Sequence, residues 1–150
     1  MSEVTAQVSR SIAAPPATVW QALVTPAMIK QYFFGSNVES DFQVGSPIHW
    51  RGEFNGKKYE DSGEILQAEP GTRLRMSHWS PLSGTPDTPE NHHVVTFDLA
   101  PDGKDTRVTL SQSNLLGAVR QEDGKRRAEF EKNWSAVLDG LAKAVETASA

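Results

Sequence analysis

The 150-residue sequence contains no cysteine, which excludes disulfides, thiol catalysis and cysteine-ligated metals. No apolar run approaches the ~20 residues that a membrane-spanning helix needs, so we expect no membrane span. The formal net charge is −4 and the basic residues are dispersed, which argues against a nucleic-acid partner. The N-terminal residues show no charged-then-apolar leader, and we therefore expect a cytoplasmic protein.

Motifs for catalysis and metal binding are also missing. His92 and His93 are adjacent, so on a strand they point to opposite faces, and His49 stands alone. There is no His-Glu-x-x-His pattern, no Gly-x-Ser-x-Gly elbow and no glycine-rich phosphate loop. We therefore predict no metal, no cofactor and no catalytic residue, and we favour a binding protein over an enzyme.

One long amphipathic helix is predicted from Lys125 to Thr147. At 1.5 Å per residue it would span about 35 Å, the width of a small domain. Its apolar residues recur at helical spacing, so they form one stripe that another part of the chain must cover. The residues of this stripe are Phe130, Trp134, Val137, Leu138, Leu141 and Val145.

The first third of the chain predicts one strand followed by two short helices. Val4 to Ser9 alternate between apolar and polar side chains, as a half-buried strand does. Thr18 to Val24 form a short helix, and Ala27 to Phe34 a second one. Thr25 is the predicted cap of the second helix, with a proline at the first helical position, and Gly35 ends it.

From residue 38 onward the apolar period changes to two, which predicts an antiparallel meander. Asn55-Gly56 is a strong hairpin signal because both central residues of the turn need positive φ. We predict a loop at 80–90 and a connection at 115–124. Strands are predicted at 48–54, 59–68, 74–79, 92–99 and 107–112.

Several motifs resemble one known family. They are the segments 12–23, 25–33, 63–70, 74–79, 108–110 and 133–141. In them the chain resembles the helix-grip fold of the START and birch-pollen-allergen (SRPBCC) superfamily. Within it, the chain resembles bacterial relatives of the C-terminal domain of the activator of the heat-shock-protein-90 ATPase.

The resemblance implies an α+β fold in a single domain, 1–150. A curved antiparallel sheet of six to seven strands would wrap around the C-terminal helix, with two short helices after the first strand. A cavity between sheet and helix is expected, typically of a few hundred Å³. Core packing is the competing interpretation for each aromatic residue. The candidate cavity-lining residues are Phe34, Trp50, Phe54, Met76, His78, Trp79, Phe97, Phe130, Trp134 and Leu138.

Fewer polar residues are candidates for the cavity lining, and the sequence leaves open which way their side chains point. On the predicted strand 74–79, either His78 points inward or a bulge turns Trp79 inward. Most strand carboxylates fit a solvated outer face, but Asp61 shares parity with Tyr59 and would be partly buried if that side faces the cavity.

Three functions are compatible with these observations. We favour non-enzymatic binding of a small hydrophobic molecule, such as a lipid or an aromatic polyketide-like compound. The first alternative is a chaperone partner, in a stress-related module that stimulates the chaperone's ATPase. The second is a cyclase-like or hydrolase-like enzyme that uses Tyr59, Asp61 and His78. A monomer or a homodimer paired through the edge strand Val4–Ser9 are both possible assemblies.

Overall fold

Seven antiparallel strands form one sheet in the computed structural model, which describes residues 4–33, 35–54, 56–80, 86, 88, 91–114 and 127–148. The sheet order is β1-β7-β6-β5-β4-β3-β2, so every neighbouring pair except β1–β7 is consecutive in sequence. This arrangement confirms the predicted meander. The strands are β1 (Val4–Ile12), β2 (Asn37–Glu39), β3 (Pro47–Phe54), β4 (Lys57–Glu69), β5 (Arg73–His78), β6 (His93–Asp102) and β7 (Asp105–Asn114).

Three helices lie within the described ranges: α1 (Pro16–Leu23), α2 (Pro26–Tyr32) and α3 (Arg127–Ala148). A proline occupies the first turn of both α1 and α2, and the one in α2 was predicted. Thr25 holds the N-cap position of α2, but its hydroxyl donates to the Gln21 carbonyl oxygen at 2.5 Å and caps no N–H of α2. The order of strands and helices confirms the helix-grip fold. None of these helices is long and apolar enough to cross a membrane.

Some element boundaries differ from the sequence prediction. β1 continues past Ser9 to Ile12, where Ile12 pairs with Thr106 and the Thr106 hydroxyl donates to the Ala14 carbonyl at 2.8 Å. β5 ends one residue before its predicted end, and Trp79 pairs with Ser62 in an isolated bridge outside the strand. The predicted first residues of the long helix, 125–126, and the connection 115–124 lie outside the described residues, as does most of the loop 80–90.

The core lies between the sheet and α3. The apolar stripe is fully covered along the C-terminal half of α3, since Val137, Leu138, Leu141 and Val145 are all buried. The N-terminal half is more open, because Phe130 and Trp134 are only half-buried. The apolar stripe predicted from sequence therefore divides into a packed end and an open end.

Two glycines allow close contacts that any side chain would prevent. A Cβ at Gly63 would lie 1.8 Å from the Ser77 carbonyl oxygen, so β4 and β5 approach each other only because residue 63 has none. A Cβ at Gly140 would lie 2.8 Å from the Tyr32 Cβ, so α3 packs directly on α2 at this point. Both contacts bring the walls of the interior together.

The outer edge of β1 is partly satisfied within the chain. The Gln7 N–H donates to Glu131 Oε2 at 3.0 Å, and the Ala13 N–H donates to Glu146 Oε2 at 2.9 Å. Side chains of α3 therefore occupy one backbone donor on β1 and one just after its end.

Candidate ligand-binding site

An enclosed cavity lies on the inner face of the sheet, between α2 and strands β3, β5 and β6. Its volume is about 20 Å³, which is room for about one water molecule. The expectation of a few hundred Å³ is wrong for this structure, because aromatic rings fill the space. The lining residues are Leu23, Ile29, Tyr32, Phe33, Phe42, Ile48, Trp50, Met76, His78, Val95 and Phe97.

Phe33 bridges the sheet and the C-terminal helix. Its ring stacks on Trp50 of β3, with centroids 6.2 Å apart and planes inclined by 21°. On its other side it lies 6.0 Å from the ring of Trp134 of α3. Phe33 follows the last residue of α2, so it is held by one short helix and by two larger rings. It therefore closes the interior at the open half of α3.

Phe42 forms a second closure, in the loop between β2 and β3. Its φ of 57° places a non-glycine residue in the left-handed region, which costs about 1–2 kcal/mol. Its N–H donates to the Ser40 hydroxyl at 3.1 Å. Phe42 lines both the enclosed cavity and an open surface depression of about 480 Å³. One phenyl ring thus separates a nearly filled interior from a large outer recess.

His78 and Asp61 form a polar pair at the margin of the cavity. His78 Nε2 lies 2.9 Å from Asp61 Oδ2, and the two side chains are 21% and 14% exposed. The His78 ring also meets the Trp50 ring edge-on, with centroids 4.9 Å apart. The structure thus turns His78 inward rather than Trp79, and the bulge lies instead on β4, between Ile65 and Gln67.

Trp134 makes the second polar contact of the interior. Its indole N–H donates to Gln112 Oε1 at 2.8 Å. Gln112 is buried on β7, and its Nε2 has no hydrogen-bond partner. A buried amide without hydrogen bonds destabilises the folded state, so the bond from the indole fixes the position of α3 on the sheet.

Charged groups lie on the outer face of the same strands. Arg51 contacts both Glu39 and Glu60 there, and all three side chains are solvent-exposed. The hydrogen bond from Arg51 holds the pKa of Glu39 below its ordinary value, and the two carboxylates raise the pKa of Arg51. This face is a solvated surface, as the alternating carboxylates predicted.

The structure brings together four of the predicted lining residues and separates four others. Trp50, Met76, His78 and Phe97 line the cavity. Trp79 bridges to Ser62 instead, and Leu138 is fully buried in the core. Phe130 contacts the His93 ring, and Trp134 contacts Phe33 without lining the cavity. Phe34 and the side chain of Phe54 lie outside the described residues.

Sequence reasoning missed the aromatic closures. Phe33 ends a short helix and Phe42 lies in a loop, so neither belongs to a periodic pattern that could mark it as inward. The available signal was composition: a phenylalanine that stands between two polar residues in a loop usually has a packing role. The other missed lining residues are Leu23, Ile29, Tyr32, Ile48 and Val95.

Comparison with protein families gives one match that spans most of the chain. The family model described as activator of Hsp90 ATPase homolog 1-like protein matches residues 13–146. No curated protein sequence matches the chain.

Solved structures share the whole fold. ChR145 from Cytophaga hutchinsonii is 46% identical, has a TM-score of 0.77, and the match covers 99% of both chains. The Aha1 dimer from Colwellia psychrerythraea is 22% identical with a TM-score of 0.70, over 94% of this chain and 95% of that one. CalU16 from Micromonospora echinospora is 23% identical with a TM-score of 0.67, over 93% of this chain and 74% of that one. The last two matches show a common fold alone.

Proposed function

This chain belongs to the family of activator of Hsp90 ATPase homolog 1-like proteins, and from that premise we propose that it binds a small hydrophobic molecule on the inner face of its sheet, in the cavity beside α2. The binding is non-enzymatic, and the ligand is a lipid or a planar aromatic compound. It occupies the enclosed cavity after the cavity has widened.

The observation that carries this proposal is the aromatic lining. Five of the residues around the cavity carry benzene or indole rings: Tyr32, Phe33, Phe42, Trp50 and Phe97. Ligand sites are typically apolar and aromatic, with few polar groups that fix orientation. Here His78, paired with Asp61, is such a polar group at the margin.

The small volume of the cavity sets the mechanism of entry. A cavity of about 20 Å³ holds no lipid, so binding requires that side chains leave. In sequence, Phe33 and Phe42 both lie in the segment between α2 and β3. The strand in that segment, β2, has only three residues. Phe42 also borders the outer depression and carries backbone strain, a feature that clusters at ligand clamps and switches. We expect the ligand to take the space of these two rings.

Widening also sets the affinity. If only a fraction of molecules has the rings displaced, the apparent affinity falls by that same fraction. Phe42→Ala removes the ring shared by the cavity and the depression and should therefore strengthen binding. Val8→Ala is a matched control, because Val8 is a half-buried core residue that does not line the cavity.

The test combines detection of a native ligand with defined probes. Native mass spectrometry of gently purified protein should show a retained organic molecule, and 2-methoxynaphthalene or laurate should raise the melting temperature. Phe42→Ala should bind the stabilising probe at least about threefold tighter than wild type, whereas Val8→Ala should match wild type. No adduct, no thermal shift and no effect of Phe42→Ala would contradict the proposal.

Family membership itself favours a second candidate, stimulation of a chaperone ATPase. The matching family is described as activator of Hsp90 ATPase homolog 1-like. This function is tested by the ATPase rate of the host's own Hsp90, measured with this protein and with an equal mass of serum albumin. A rate that rises only with this protein supports the candidate, and an unchanged rate removes it.

A further inference from the structure

We propose that Asp61 and His78 form a selective polar end of the binding site, which accepts a hydrogen bond from a hydroxyl group on the hydrophobic ligand. This inference rests on the proposed function and specifies the chemistry of the ligand. It assigns Asp61 as the acceptor and His78 as the group that positions it.

The backbone fixes the pair from two neighbouring strands. The Ser62–Trp79 bridge joins β4 and β5 next to Asp61 and His78, with reciprocal N–H to carbonyl bonds of 2.9 and 2.8 Å. Asp61 is also the register partner of Trp50, whose ring contacts His78 edge-on. The carboxylate therefore contacts one ring that lines the cavity, His78, and lies opposite a second, Trp50, on the neighbouring strand.

One oxygen of the Asp61 carboxyl group remains unused. Oδ2 contacts His78 Nε2 at 2.9 Å, whereas Oδ1 is buried and has no hydrogen-bond partner. A carboxylate oxygen can only accept a hydrogen bond. Because leaving such an atom buried and unpaired is costly, a ligand that supplies a donor gains affinity here.

The lining selects a neutral donor over a cation. Apart from His78, the residues around the cavity are apolar or aromatic, and burying an additional charge among them carries a large desolvation cost. A metal ion is not favoured either, because no three His, Asp or Glu side chains group together within the described ranges. A phenol or an alcohol on an apolar body combines the required donor with a small desolvation cost.

A matched pair of probes tests the inference in the wild-type protein. 2-Naphthol and 2-methoxynaphthalene share one apolar body, but only the naphthol can donate a hydrogen bond. Without a specific acceptor, the more apolar ether should bind at least as tightly. With Asp61 Oδ1 as acceptor, we expect calorimetry to show the naphthol bound about tenfold tighter, the usual scale for satisfying one buried polar group.

Variants then assign the preference to Asp61. Asp61→Asn should reduce the naphthol preference to within about twofold, because the carbonyl oxygen that the amide retains stays on the His78 N–H and the N–H₂ group takes the place of Oδ1. Glu60→Gln is the matched control, because it makes the same chemical change on the preceding residue, which faces solvent and contacts Arg51. It should retain the preference.

The outcomes separate this inference from the function on which it rests. If neither the naphthalenes nor laurate bind, the hydrophobic site itself fails. If both bind equally to the wild-type protein, the site stands and the polar selection is overturned, whether or not Asp61→Asn folds. A preference that persists in folded Asp61→Asn would also overturn the assignment.

Discussion

The indole N–H of Trp134 donates to Gln112 Oε1 at 2.8 Å, and this bond joins the open half of α3 to the C-terminal part of β7. Trp134 also lies beside Phe33, which in turn stacks on Trp50. A long helix, the end of a short helix and two strands therefore meet through three rings and one hydrogen bond. The site is closed by these contacts rather than by the apolar stripe of α3 alone.

The Trp134–Gln112 bond should be measurable as a coupling energy. Trp134→Phe keeps an aromatic ring but removes the donor, so the buried Gln112 amide loses its partner and stability should fall by about 1–3 kcal/mol. In a Gln112→Leu background the same change should cost clearly less. Denaturant unfolding of the four proteins gives the cycle, and equal costs in both backgrounds would contradict the role of the bond.

The left-handed backbone at Phe42 predicts an inverted order of small substitutions. Phe42→Ala and Phe42→Gly both remove the phenyl ring, but only glycine also removes the steric cost of a Cβ at φ 57°. The glycine variant should therefore be more stable than the alanine variant by about 1 kcal/mol. Chemical denaturation compares them directly. A more stable alanine variant would mean that residue 42 is not left-handed in solution.

Glycine 63 should tolerate no side chain. In Gly63→Ala the new Cβ meets the Ser77 carbonyl oxygen at 1.8 Å, and two paired strands would have to separate. We expect a loss of about 3 kcal/mol or more, above the usual cost of overpacking. Gly52→Ala is the control, because its Cβ meets only side-chain atoms of Tyr59, which can move away, and should cost about 1 kcal/mol. Thermal unfolding that shows equal losses would contradict the close contact.

Tyr32 should make the protein sensitive to alkaline pH. Its hydroxyl donates to the Ala22 carbonyl at 2.9 Å, and burial raises its pKa far above the ordinary value of 10.0. Because the folded state holds this proton more tightly than the unfolded state, the stabilisation is complete below pH 10 and declines above it. The slope contributed by one such group approaches about 1.4 kcal/mol per pH unit.

Tyr32→Phe isolates that contribution. At neutral pH the variant should be less stable by about 1 kcal/mol, since it lacks the hydrogen bond to Ala22. Between pH 10 and 11.5 its stability should fall less steeply than that of the wild type, so the two curves converge and then cross. Urea unfolding across this range is the measurement, and parallel curves would show that Tyr32 ionises as easily in the folded protein as in the unfolded chain.

Most of the fold could be predicted from the sequence because most elements carry a local signal; the exception is β2, which has only three residues. Period-two alternation marked the strands, Asn55-Gly56 marked a hairpin, and the stripe from Phe130 to Val145 marked α3. Errors arose at the ends of elements, where pairing partners decide. Ile12 continues β1 because Thr106 is opposite it, and no local pattern contains that fact.

The site was less predictable because its closure depends on residues outside periodic elements. Parity placed Trp50, Met76 and Phe97 correctly on the inner face. It left two choices for His78 and Trp79, and only the pairing of β4 with β5 selects between them. Phe33 and Phe42 fill the interior from a helix end and a loop, so neither their direction nor the small volume of the cavity follows from alternation.

The most direct test of hydrophobic binding within the sheet–helix interior uses methionine methyl groups. Met76 lines the cavity, whereas the half-buried Met28 of α2 does not. In protein labelled with [¹³C-methyl]methionine and mixed with 2-naphthol, filtered NMR spectra should show ligand contacts to the Met76 methyl and none to Met28, with Met76→Leu assigning the signal. Contacts to Met28 alone, or binding without any contact to Met76, would contradict the account.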